Sequence, residues 1–371
     1  MNIMVIFLGR KGGAPIFTFE MVNALIKNGC TITCVLSKYI ENRKKFIELK
    51  RENKYLKLYF EKTFRNKTQF ILNTLNISNF LKIKKIIYNE KADFIYIPML
   101  TVWSSILLLF IKKKNIIMTI HDVEMHKGEE NIFLEYLYSN SIRKSRKIIV
   151  LSQRFILHVM TKYGFEKKDI CWIPHANHNY YIPSDENISE NNTIYKKILF
   201  FGRIYKYKGL EILLKAMLIL KKNNEIKLKI VGDGNISSIE NEIIKTLGSS
   251  VEIINKWIED DDIHHYFKDI DFTVLPYIEA SQSGVIMLSY SFKKPVIVTD
   301  IGGLPEQVNP STGVIIPVND VRALSDAIIK MYENPSMIIQ MGNMAYNFAT
   351  KELTWEKSAE KLIQFLYAEE N

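Results

Sequence analysis

Two rhythms alternate along the chain. Short, nearly uncharged runs rich in Ile, Val and Phe recur, and amphipathic stretches of helical length separate them. The runs Asn2–Leu8, Thr31–Leu36, Phe94–Ile97, Ile116–Ile120 and Lys147–Leu151 predict a first series of strands. Phe17–Asn28 predicts a helix closed by Gly29, a residue favoured just past a helix end. A second series comprises Lys197–Phe201, Lys227–Val231, Val251–Ile254, Phe272–Leu275, Pro295–Thr299 and Gly313–Ile316. Strands that are apolar throughout and separated by helices imply parallel sheets covered on both faces. The expected class is α/β, with two tandem Rossmann-like, doubly wound parallel-sheet domains facing a cleft. Ligands of such sheets bind outside the carboxyl ends of the strands.

One stretch invites a different reading. Phe94 to Ile111 carries no charge and approaches the ~20 residues that span a bilayer. Pro98, Thr101, Ser104 and Ser105 divide it, so a strand followed by a buried helix, Val102–Ile111, is expected instead. Between Pro174 and Lys196 the periodicity fades into Asn, Pro, Tyr and acidic residues. The expected boundaries are 1–180 for an N-terminal domain, 181–195 for a linker and 196–354 for a C-terminal domain. A terminal helical segment, 355–371, follows.

The segment Leu275 to Glu306 carries the most chemistry. Each of its two strands ends in a small-residue turn, and the first turn opens a helix. Free backbone N–H groups and the positive helix end suit phosphate there. Ser283, Gly284 and Val285 are the expected N–H donors, with Ser281 or Ser283 capping the helix. Glu279 would repel phosphate but can accept hydrogen bonds from sugar hydroxyls. Arg203 and Lys208, beside Gly202 and Gly209, offer a bidentate and a compact cation for a departing diphosphate. Gly12 and Gly13, flanked by Arg10 and Lys11, form a glycine loop after the first strand. It is not a GxGxxG fingerprint, and Ser37-Lys38 stand where a ribose-binding acid would end the second strand, which disfavours nicotinamide binding.

These motifs in this order resemble family 4 retaining glycosyltransferases of the GT-B fold. Phe201-Gly202-Arg203 with Lys208-Gly209 is similar to the family's "GR…KG" motif, and Gly232-Asp233-Gly234 to its "GDG" turn. His121-Asp122 is similar to its "HD" segment, and Gly12-Gly13 to its glycine loop. The resemblance implies transfer of a sugar from a nucleotide-diphosphate sugar to a saccharide acceptor, with retention and with no metal or other cofactor. His121 would contact the donor sugar, with His126 nearby, and Asp122 would orient His121 or touch the acceptor. By the same resemblance, residues 1–180 would form the acceptor-binding domain and 196–354 the nucleotide-sugar-binding domain, and a terminal helix, about Trp355 to Tyr367, would cross back onto the N-terminal domain. The family's pair of glutamates eight positions apart is incomplete here. Glu279 is present, but Met287 and Leu288 stand where the second is expected. Glu306 either takes a related role or simply starts a helix favourably.

Composition narrows the setting. The chain has 371 residues, enough for two domains. Cys30, Cys34 and Cys171 show no metal-ligand spacing and fit a reducing compartment. No signal peptide is expected at Met1–Leu8. Residues 1–180 carry a net charge of +16 and the remainder −6. The cations cluster at Arg43–Lys67, Lys82–Lys91, Lys112–Lys114 and Arg143–Lys147. Such clusters are either a solvated surface or contacts with an anionic partner. Interleaved Phe46, Tyr55, Tyr59, Phe60, Phe64 and Phe70 point to a membrane surface or a lipid-linked acceptor. No nucleic-acid-binding motif is present. A cytoplasmic protein, peripheral at the inner membrane face and building O-antigen, capsule or exopolysaccharide, is the implied setting. Asp260-Asp261-Asp262 reads as a helix start, with Asp262 as N-cap, not as a metal site. Two other readings of the architecture are a sugar-nucleotide epimerase or phosphorylase, and a non-catalytic nucleotide-sugar-binding or membrane-scaffold protein.

Overall fold

A computed structural model describes residues 1–112, 115–122, 131–182, 193–221 and 225–368. His126 and residues 183–192 of the expected linker lie outside them, as do two residues of the 112–114 cluster. The chain divides into two compact units. One comprises Met1–Pro174 with Trp355–Asn371, and the other His175–Thr354.

The first unit contains β1 (Asn2–Phe7), α1 (Gly13–Lys27), β2 (Thr31–Ser37), α2 (Arg43–Glu52), β3 (Leu56–Glu61), α3 (Lys67–Leu75) and α4 (Ile77–Asn89). It continues with β4 (Phe94–Ile97), α5 (Val102–Leu109), β5 (Ile116–Ile120), α6 (Ile132–Arg143), β6 (Lys147–Val150), α7 (Ile156–Tyr163) and β7 (Ile170–Trp172). All seven strands are parallel, in the order β3-β2-β1-β4-β5-β6-β7. Strand order therefore reverses between β1 and β4, which pair from Ile3 opposite Phe94. Such a switch point opens a crevice at the carboxyl ends. The uncharged stretch divides as expected into β4 and α5, and Thr101 closes a capping box at the helix start. Among the described residues, no helix is long and apolar enough to cross a membrane.

The terminal helix α14 (Trp355–Tyr367) belongs to this first unit. Trp355 meets Phe17 of α1 edge to face at 5.1 Å, and Lys27 pairs with Glu356 at 2.8 Å. Lys147, 1% exposed, donates to the Phe365 carbonyl at 2.6 Å. A cation at the last helical turn is favoured by the helix dipole.

The second unit contains β8 (Lys197–Phe201), α8 (Leu210–Leu220), β9 (Lys227–Val231), α9 (Ser238–Leu247), β10 (Val251–Ile254), β11 (Phe272–Leu275) and α10 (Gly284–Ser291). It ends with β12 (Val296–Thr299), α11 (Leu304–Gln307), β13 (Gly313–Ile316), α12 (Val321–Glu333) and α13 (Pro335–Lys351). The sheet is parallel, in the order β10-β9-β8-β11-β12-β13, with its switch point between β8 and β11. Both units are thus Rossmann-like α/β folds.

Three expectations need correction. The aromatics between Arg43 and Phe70 do not form an exposed face. Phe46 is fully buried, and Phe64 and Phe70 pack against the core around Trp103. Lys147 of the last basic cluster is also buried. Asp262 is not an N-cap: a 3-10 turn runs from Asp260 to Tyr266 and starts at Glu259, with no side-chain cap. Strands β3 and β7 were not anticipated, because LKLYFE is an edge strand with polar positions and ICW has only three residues.

Candidate functional site

The switch point of the second sheet gathers most of the expected residues. After β8, Gly202 N–H donates to Val231 O at 2.9 Å and Ile204 N–H to Asp233 O at 2.8 Å, so the β8 and β9 loops are stitched together. A Cβ at Gly232, where φ is 145°, would stand 2.1 Å from the Gly202 carbonyl oxygen. Only glycine permits that approach. A Cβ at Gly209 would likewise meet Pro276 O at 2.0 Å, so the turn after β8 lies directly on the loop after β11.

This contact places Lys208. Its ammonium lies 2.9 Å from where a Cβ on Gly202 would stand, and the Val285 side chain is 3.7 Å from the same point. It also sits 5.1 Å from the centroid of the Tyr277 ring, whose hydroxyl is 3.4 Å from Ser283 Oγ. Gly202, Lys208, Tyr277, Ser283 and Val285 therefore surround one spot at the start of α10. Arg203 is exposed nearby. Its guanidinium lies over the Tyr205 ring at 4.8 Å and donates to the Tyr205 hydroxyl at 3.3 Å.

The α10 start differs in detail from expectation. Ser283, not Ser281, is the N-cap, accepting from Val285 N–H at 3.3 Å. Ser283 N–H is already given to Gln307 Oε1 at 2.8 Å, and Gln307 Nε2 donates to Ser283 O at 3.1 Å. Of the three expected donors, only the Gly284 N–H has no hydrogen-bond partner among the described residues. His178 and His175 flank Gly284. Their Cε1 and Nε2 atoms lie 3.2 Å and 3.7 Å from where its Cβ would be. Burial, and then the neighbouring His175, hold His178 well below the usual histidine range, so its ring is neutral at neutral pH.

The acidic residues separate by position. Glu279 is half-buried in the loop after β11, with its N–H directed at Tyr207 O at 3.5 Å. Glu306 is exposed in the first turn of α11, while Gln307 beside it points inward as the loop clamp. Met287 and Leu288, where the family pattern has its second glutamate, are buried and apolar.

In the first unit, Gly12 has φ 87° and donates its N–H to Glu41 Oε1 at 2.9 Å, just before Gly13 opens α1. Glu41 returns its own N–H to Arg10 O at 3.0 Å. A carboxylate seated on this loop repels phosphate and suits hydroxyls better. Glu41 escaped sequence reading because only the strand order brings it to the loop. His121 follows β5. Its Nε2 lies 2.9 Å from Pro98 O, and Phe17 meets its ring edge to face at 4.7 Å. A carbonyl oxygen only accepts, so Nε2 carries the proton. Burial lowers the His121 pKa, against the nearby Asp122 carboxylate, which raises it. The neutral ring therefore keeps an unprotonated Nδ1. Asp122 is exposed at the same strand end.

Comparison with known proteins places the chain in a family. Residues 11–176 match the model described as Glycosyltransferase Family 4, and residues 195–334 match that of Glycosyl transferases group 1. The chain belongs to the family 4 glycosyltransferases. An uncharacterized glycosyltransferase of Methanocaldococcus jannaschii is 25% identical over 243 residues, covering 65% of each chain. A GDP-mannose-dependent monoacylated alpha-(1-6)-phosphatidylinositol monomannoside mannosyltransferase of Corynebacterium glutamicum is 27% identical over 185 residues, 45% of this chain and 46% of that one. This chain thus spans about two thirds of the first relative's length and under half of the second's. The Anabaena protein HepE, solved with UDP-glucose, superposes with a TM-score of 0.70 at 16% identity, covering 99% of this chain and 100% of that one. That likeness is one of fold, and the fold of this family 4 member is GT-B. Its two matched segments correspond to the two sheets, and the second contains the whole cluster around Lys208.

Proposed function

We propose that the chain transfers a sugar from a nucleoside-diphosphate sugar to a saccharide acceptor, with retention at the anomeric carbon. The observation that carries this is the convergence of Lys208, Gly202 and the start of α10 on one spot at the β8/β11 switch point. A helix N-terminus with one open N–H and an adjacent ammonium favours a diphosphate. Charge grows on that diphosphate as the glycosidic bond breaks, so groups fixed there stabilise the transition state more than the ground state. Arg203 supplies further charge from the rim, and Glu279 accepts hydrogen bonds from sugar hydroxyls. His121 and Asp122, with the Gly12–Gly13 loop, are assigned to the transferred sugar and the acceptor by family resemblance. No residue is cast as a covalent nucleophile. The acceptor's proton passes to the leaving phosphate on the same face, and no step calls for a metal.

The acceptor is assigned as lipid-linked and the setting as bacterial surface-polysaccharide assembly at the cytoplasmic membrane. The basic first unit supports this, as does the phosphatidylinositol-mannoside acceptor in the name of the C. glutamicum relative. UDP-glucose in the HepE structure and GDP-mannose in that relative's name leave the base to experiment.

Thermal-shift screening against UDP, GDP, ADP, CMP and their common sugars tests the donor site. A ligand bound only by the folded chain raises the melting temperature by mass action. One nucleoside diphosphate should stabilise the protein, and Lys208→Ala should weaken its binding about 10–100-fold, the worth of a charged hydrogen bond. Equal binding by wild type and Lys208→Ala would sink the assignment.

A further inference from the structure

Helices α3 and α4 carry a second apolar surface. Ile71, Leu72 and Leu75 of α3 are 58%, 62% and 75% exposed, and Ile77 and Leu81 of α4 are 55% and 49% exposed. On α3 these positions, with Thr68, follow the spacing of one helix face. That face is not apolar by default of packing, because the opposite side is already engaged. Phe70 stacks edge to face with Phe64 at 4.9 Å, and Thr74 Oγ1 accepts from the Trp103 indole at 3.0 Å. On α4, Phe80, Ile83 and Ile87 are buried in the core. The pair cannot rotate to hide its leucines without breaking these contacts. An apolar stripe left in water on an otherwise satisfied helix marks an interaction surface.

Charge decides the kind of partner. From Lys62 to Asn89 the chain has six cations, Lys62, Arg65, Lys67, Lys82, Lys84 and Lys85, and no carboxylate. Lys82 pairs with Glu61 at 2.8 Å, and all but the half-buried Lys84 are exposed. Aliphatic side chains rimmed by lysines fit the boundary between acyl chains and anionic headgroups.

Position adds a third observation. Arg10 of the glycine loop lies over the Phe64 ring at 4.8 Å and donates to Arg65 O at 2.6 Å, immediately before α3. The apolar face therefore adjoins the loop at the carboxyl edge of the first sheet.

We propose that the α3–α4 face docks on an anionic lipid bilayer and presents lipid-linked acceptors to the Arg10–Gly13 loop. This rests on the reading of the acceptor as lipid-linked. It replaces the core aromatics as the membrane contact with five exposed aliphatic side chains.

The test is co-sedimentation of the full chain with vesicles of phosphatidylglycerol or of phosphatidylcholine. Wild type should bind phosphatidylglycerol vesicles and not phosphatidylcholine ones. Leu72→Ser with Leu75→Ser should weaken binding at least tenfold. Lys67→Gln with Lys85→Gln should weaken it by roughly fivefold per cation lost, and added salt should do the same. Melting temperature and stabilisation by the nucleoside diphosphate should be unchanged in both variants, because the replaced side chains face water and lie outside the donor unit. Undiminished vesicle binding by the leucine variant, or no binding by wild type, would overturn the proposal. So would dissociation of a wild-type dimer by the leucine substitutions, which would make the face a contact between copies. Loss of nucleotide stabilisation in wild type would instead count against the transfer reading alone.

Discussion

Gln307 is the side chain on which the geometry of the α10 start depends most directly. It is buried, and it holds Ser283 by both backbone groups, at 2.8 Å and 3.1 Å. Replacement by methionine keeps the volume and removes both bonds. Each net hydrogen bond contributes about 1 kcal/mol, and a stranded buried N–H costs a further ~1–3 kcal/mol. Ser283 O retains a bond from Ile286 N–H at 3.3 Å, so only the N–H is stranded. The sum is about 3–5 kcal/mol, a large part of the ~5–15 kcal/mol that holds a typical domain folded. Urea denaturation of the full chain reads the global loss. Hydrogen exchange at the Ser283 amide reads the local one, which should rise by roughly two to three orders of magnitude, as ~1.4 kcal/mol is tenfold. Gln307→Glu supplies the contrast. One oxygen can still accept from Ser283 N–H, but the other faces the Ser283 carbonyl where Nε2 donated, so the buried carboxylate should cost stability as well as nucleotide binding. A loss below about 0.5 kcal/mol in Gln307→Met, within the range of an ordinary surface change, would refute the clamp.

Three further outcomes follow from named contacts. Burial raises the Glu20 carboxyl to about 7, with Lys45 and Lys27 opposing and Glu356 adding to it. A raised carboxyl destabilises the folded state as pH climbs from its unfolded value of 4.5 through 7. Glu20→Gln should therefore stabilise the protein at pH 8 by about 1–3 kcal/mol relative to its effect at pH 4.5; equal melting-temperature changes at the two pH values would contradict this. Lys147→Met should strand the Phe365 carbonyl, cost about 1–3 kcal/mol and speed proteolytic release of α14; unchanged digestion ahead of Trp355 would show that the contact is idle. Gly232→Ala should impair folding outright, because the added Cβ meets backbone at 2.1 Å; a soluble variant with wild-type melting would show that the β8 and β9 loops can part.

Much of this was legible in the chain itself. Runs such as Phe272–Leu275 are apolar throughout, so they mark strands buried on both faces, and their alternation with helices implies parallel order. Pro98 and the serines divided the uncharged stretch, because local breakers act within a few residues. Glycine beside cations after β8, and Ser283-Gly284 at the start of α10, marked turns that the structure brings together at the β8/β11 switch point. Local pattern carries such information because propensity, capping and periodicity act over one or two helical turns.

What the pattern left open is which distant groups meet, and which side of an element faces water. Phe46 and Leu72 are both apolar residues in basic surroundings, yet one is buried and the other 62% exposed, because packing around Trp103 and α1 leaves room for only one face of each helix. Gln307 reaches Ser283, and Glu41 reaches Gly12, across gaps set by strand order. Lys208 stands beside Val285 only because Gly209 and Gly232 let backbones approach within reach of one another. The amino-acid order determined the elements and the chemistry of each turn. The sheet order, reversing at β1/β4 and β8/β11, decided which turns share a site, since contacts between loops far apart in the chain exist only once the strands beneath them are paired.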